Sequence, residues 1–87
     1  METIYKYPLY IQDVQTLQLP KGAEILCVQT QMQMPYLWAI VDPEVKEKED
    51  VVVRTIGTSH EFRDGAELLY VGTYQLPSLV FHVFIKQ

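Results

Sequence analysis

Apolar and polar positions trade places at short intervals along most of this chain, and the period is two. Ile4 to Ile11 places Tyr5, Tyr7, Leu9 and Ile11 on one parity, with Pro8 marking an edge strand or a bulge because it has no N–H to give a ladder. Gln15 to Leu19 alternates again before the turn residues Pro20-Lys21-Gly22. Ile25 to Met32 predicts a third strand, and Pro35 opens a fourth through Tyr36, Leu37, Trp38, Ala39, Ile40 and Val41, with Gln33-Met34-Pro35 as a hairpin connection. Asp42-Pro43 stops it. The charged run Glu44 to Asp50 reads as a solvated hairpin tip more readily than as a docking loop. Val51 to Ile56, Leu68 to Leu76 and Leu79 to Ile85 complete the set, with a polar connection over Gly57 to Gly65 and a break at Pro77-Ser78.

Seven short strands, with turn residues about every 8–12 positions, predict an all-β fold: a small antiparallel sandwich or barrel, formed by residues 1–87 as a single domain. Nothing in the chain carries a sustained 3.6-residue period. The echoes Gln18-Leu19-Pro20 with Gln75-Leu76-Pro77, and Ile56-Gly57-Thr58 with Val71-Gly72-Thr73, are similar strand ends and too short to make a repeat.

Charge and composition narrow the function classes. The formal net charge is −4, and the basic residues Lys6, Lys21, Lys46, Lys48, Arg54, Arg63 and Lys86 are scattered, so duplex nucleic acid is not an expected partner. One cysteine, Cys27, allows no intrachain disulfide, and between Leu26 and Val28 it reads as a small buried hydrophobe. No leader pattern and no long apolar run is present, so the expected setting is a cytoplasm, with no membrane partner.

Candidate chemistry is sparse. His60, His82 and Cys27 have no metal-ligand spacing, so no metal and no cofactor is expected. His82 shares a strand face with Val80 and Phe84 and reads as a hydrogen-bonded packing residue. Ser59-His60-Glu61 brings together the residue types of a triad, but neighbours in an extended segment point apart, and triads are assembled across a fold. No phosphate loop or dinucleotide fingerprint appears, and no catalytic residue is assigned. Binding has more support. Tyrosines and Trp38 bury large areas at low entropic cost and stack on bases, while arginines grip phosphates or carboxylates. The candidate ligand residues are Tyr36, Trp38, Arg54, His60, Arg63 and Tyr74, with Lys6 as a further phosphate partner. The competing reading is that tyrosines suit strands and cover a small core. Unpaired strand edges also give such a domain reason to form a homo-oligomer.

Several stretches carry a resemblance. They are Thr3-Ile4-Tyr5-Lys6-Tyr7-Pro8-Leu9, Leu19-Pro20-Lys21-Gly22-Ala23-Glu24-Ile25-Leu26, Leu37-Trp38-Ala39-Ile40-Val41-Asp42-Pro43, Ile56-Gly57-Thr58-Ser59-His60, Tyr70-Val71-Gly72-Thr73-Tyr74-Gln75-Leu76 and Leu79-Val80-Phe81-His82-Val83-Phe84. In this order they resemble a small domain of unknown function found in bacteriophages, prophages and bacteria. The chain departs from that pattern at Ser59, where glycine is expected, and at Glu61, where proline is expected. The resemblance implies a phage-type accessory protein with no transferable functional residues. The resulting expectation is a non-enzymatic counter-defence or host-modulating binder in the bacterial cytoplasm, sequestering a nucleotide-derived immune signal or blocking a host defence protein. A minor virion or assembly protein is the alternative, and a small hydrolase using His60 and His82 is a third reading.

Overall fold

The computed structural model describes residues 1–64 and 67–87; Gly65, the end of the expected polar connection, lies outside them. Its strands are β1 (Thr3–Pro8), β2 (Val14–Pro20), β3 (Glu24–Gln31), β4 (Met34–Val41), β5 (Lys48–Gly57), β6 (Leu68–Leu76) and β7 (Leu79–Lys86). They form two sheets, one of three strands in the order β1-β4-β3 and one of four in the order β2-β5-β7-β6. Every pairing is antiparallel. The fold is the expected all-β sandwich.

The inner faces follow from the alternation. Leu37, Ala39 and Val41 of β4 point inward and are fully buried, as are Leu19, Val53 and Val83 of the opposing sheet, with Val28 and Tyr74 beside them. Burying a side chain of that size contributes roughly 1.5–3 kcal/mol each, so this layer holds the sheets together. The molecule nevertheless shows 6077 Å² of accessible surface, roughly 800 Å² more than a compact monomer of its mass displays. A thin shape explains the excess: the principal extents are 40 × 31 × 16 Å.

Two connections differ from the sequence expectation. The β3–β4 hairpin turns at Met32-Gln33, not at Gln33-Met34-Pro35, since Gln31 already pairs with Met34. Both turn residues have positive φ, 51° and 64°, the left-handed geometry of the tight hairpin turn that usually recruits Asn-Gly. The charged run after β4 is no hairpin tip, because β4 and β5 belong to different sheets. It crosses between them, and Lys48, Glu49 and Asp50 enter β5 because they find partners across from Pro20, Leu19 and Gln18. Gln18 Nε2 donates to Asp50 Oδ1 at 2.6 Å, and the Gly22 N–H donates to Glu49 Oε1 at 2.9 Å.

Two β-bulges face each other where the edge strands β3 and β6 meet, between Ile25 and Cys27 and between Tyr70 and Gly72. Each extra residue reverses the inside–outside parity beyond it. Val28 therefore turns inward, and Cys27 pairs with Trp38 on the outer face, half-buried and outside the core where the sequence placed it. Tyr74 turns inward while Tyr70 stays outside. The strands run close here, and a Cβ on Gly72 would lie in contact, 3.4 Å from both the N and the O of Val28.

Candidate binding face

β4 breaks the rule for a strand with one wet face. An antiparallel sheet solvated on one side alternates apolar inside and polar outside, yet β4 reads Met-Pro-Tyr-Leu-Trp-Ala-Ile-Val. Its inward residues fill the core, and its outward residues are Met34, Tyr36, Trp38 and Ile40. Pairing sets Ile4 of β1 beside Ile40, Lys6 beside Trp38, and Cys27 of β3 on Trp38's other flank. The Tyr36 and Trp38 rings are 6.3 Å apart and tilted by 60°. Lys6 Nζ stands 4.7 Å from the Tyr36 ring centre and 6.0 Å from that of Trp38, and donates to Gln31 Oε1. A cation over ring faces is attracted by their negative π-clouds. The Trp38 indole N–H is buried without a partner. At one end the exposed Met34 continues the surface toward the turn, where Met32 is 92% exposed.

The remaining sequence candidates lie elsewhere. Arg54 and Arg63 border a shallow cleft of about 620 Å³ on the outside of the four-stranded sheet, with Asp13, Val14, Asp64 and Glu67. Two guanidinium groups thus share that cleft with three carboxylates. Arg54 is already engaged: its Nε is 3.3 Å from Asp64 Oδ2, and its Nη1 donates to the carbonyls of Asp13 and Thr55 at 3.4 and 3.1 Å. His60 borders a neighbouring hollow with Glu61, Phe62 and Arg63. Its N–H donates to the Gly57 carbonyl at 3.0 Å, and its ring lies where a Cβ on Gly57 would come within 2.9 Å. Ser59 completes this turn at φ 74°, the left-handed region that glycine occupies without strain. That conformation supplies a physical reason for the glycine expected there.

Tyr74 is core, 3% exposed, its ring 5.4 Å from that of Phe81 and its hydroxyl without a hydrogen-bond partner. Burial raises its pKa above the usual 10, and burial reinforced by the neighbouring Tyr5 does the same for Tyr7. The six candidates therefore divide three ways. Tyr36 and Trp38 share one face, Arg54, His60 and Arg63 gather on the opposite side, and Tyr74 lies between the sheets.

His82 is hydrogen-bonded through both ring nitrogens, Nε2 to Thr58 Oγ1 at 2.7 Å and Nδ1 to Thr73 Oγ1 at 3.0 Å. Thr73 continues to the Tyr70 hydroxyl at 2.6 Å. This row sits beside Phe84 on the outer face, where Phe62 and Tyr70 both contact the Phe84 ring. Among the described residues no group of three or more His, Cys, Asp or Glu side chains is placed to hold a metal ion.

Sequence reasoning found the aromatics of this face but missed Met34, Ile40, Ile4 and Cys27 around them. The signal was present: an eight-residue strand with no polar position has two faces to cover. No curated protein and no solved structure is significantly similar to the chain. A family model described as "Domain of unknown function (DUF7352)" matches residues 1–87, and the chain belongs to that family.

Proposed function

We propose that this chain is a non-enzymatic, phage-type accessory protein that acts by occupying a host protein, with the outer face of the three-stranded sheet as its contact surface. The observation that carries this reading is the Met34-Tyr36-Trp38-Ile40 row, an apolar stripe on a strand whose other side already fills the core. Tyrosine and tryptophan are the residue types that dominate binding energy at protein interfaces, and exposed methionines adapt to a partner's shape. Lys6 adds one positive charge to a chain of net charge −4.

The nucleotide-sequestering version has less support. Arg54 commits Nε and Nη1 to Asp64 and two carbonyls, three carboxylates border the arginine cleft, and Lys6 occupies the Tyr36 ring face on which a base would stack. The deciding experiment recovers the protein from bacterial cells carrying active defence systems and compares it with the Tyr36→Ala, Trp38→Ala double variant. The expected result is a defined host protein retained by the wild type, lost by the folded double variant, and rebound on mixing the purified components. Native mass spectrometry showing a nucleotide released on denaturation, with no such protein partner, would overturn this reading in favour of sequestration.

A further inference from the structure

The free edge of β1 is written so that it can pair with itself. The Leu9 N–H donates to the Pro35 carbonyl at 3.0 Å, on the same register that pairs Tyr7 with Leu37. Backbone groups alternate sides along a strand, so the odd-numbered residues of this segment face β4. Glu2, Ile4 and Lys6 consequently send their N–H and C=O groups outward, and Pro8, which has no N–H to offer, takes the last outward position. Ile4 and Tyr5 remain 57% and 46% exposed on this edge.

Edge lysines usually discourage pairing. Here Glu2 and Lys6 lie two residues either side of Ile4, so an antiparallel second copy centred on Ile4 sets each Glu2 opposite the partner copy's Lys6. In that register the Ile4 backbones exchange hydrogen bonds with one another and Glu2 exchanges them with Lys6, while Pro8 lies beyond the paired stretch. Centring on Lys6 instead would oppose two like charges, which is destabilising. In the single chain the Lys6 ammonium lies over Tyr36 and gives an N–H to Gln31, on the side away from the free edge, so pairing requires its flexible stem to swing back toward the partner copy's Glu2. We infer that two copies of this chain join through β1 in a two-fold antiparallel pair, making one continuous sheet β3-β4-β1-β1-β4-β3. The dimer would set two apolar stripes side by side, whatever those stripes bind.

Sedimentation equilibrium on the full chain tests this with three variants: Glu2→Lys, Lys6→Glu, and the double exchange. A dimeric wild type is expected, with each single variant weakening association roughly tenfold or more, because two facing pairs turn repulsive. The double exchange is expected to restore it. Slow amide exchange at Ile4 and Lys6 in the concentrated wild type, lost on dilution, should accompany dimerisation. A monomeric wild type, a dimer indifferent to single charge reversal, or a double exchange no better than the single variants would each overturn the inference. These readouts report mass and edge protection, so they can fail independently of the host-protein experiment.

Discussion

The two outer faces of the sandwich are both apolar near their centres, and they differ in where their cover comes from. On the four-stranded sheet Ile56 points outward yet is 5% exposed, Phe62 from the following segment rests 6.3 Å from the Phe84 ring, and the His82 row fills the adjoining surface with hydrogen bonds. On the three-stranded sheet the half-buried Tyr36, Trp38 and Ile40 row lies under the Lys6 side chain and between Ile4 and Cys27 of the flanking strands. The segment after β5 thus contributes Phe62 to the first face. Among the described residues the second face is covered only by strands of its own sheet, and that difference is what the proposed contact surface rests on.

The comparison can be broken most severely on β4 itself, where neighbouring residues serve different masters. Leu37→Ala should cost about 3 kcal/mol by leaving a cavity in a fully buried layer. Trp38→Ala, one residue on, should cost only about 1 kcal/mol, because its face is already partly wet. Urea denaturation of both variants measures the gap, and equal losses would show that the outer row is structural. Phe62→Ala comes next. Stripping the cover from the four-stranded sheet should cost about 1.5 kcal/mol and speed amide exchange around Ile56 and Phe84, with β4 unaffected.

Tyr74→Phe probes the layer between the faces and has the smallest expected effect, a gain of about 1 kcal/mol from removing a buried hydroxyl that has no partner. Its pH signature has a definite sign. The folded pKa is raised above 10, so above pH 10 the unfolded chain gives up the proton first and stability falls until the folded pKa is passed. Thermal melts from neutral pH upward should show that alkaline decline in the wild type. They should show less of it in the phenylalanine variant, where Tyr7 still contributes.

Much of the architecture was legible because runs of β-branched and aromatic residues broken by turn residues mark strands, but in the wholly apolar β4 the pattern does not say which side, Leu37 or Trp38, is core. What escaped was parity. A bulge inserts a single residue without any compositional mark, so Tyr74 looked equivalent to Tyr70 and Cys27 looked internal, until the bulges at Leu26 and Val71 reversed them. The hairpin turn escaped for a similar reason, since Met32-Gln33 adopts a geometry that the residues themselves do not advertise. The candidate site was half legible: residue types suited to binding could be named, but their division among three locations depends on pairings between distant strands.

That long-range pairing also sets a clock. Only β3–β4 and β6–β7 are neighbours in both sequence and space, whereas β1 must wait for β4, with Thr3 meeting Val41. At a synthesis rate of roughly 5–20 residues per second, the first strand spends about 2–8 s outside its sheet while its partner is still being made. A newborn chain thus carries Ile4, Tyr5 and Tyr7 without their neighbouring strand before either hairpin is complete, a window in which a chaperone or a second nascent chain could reach the edge first.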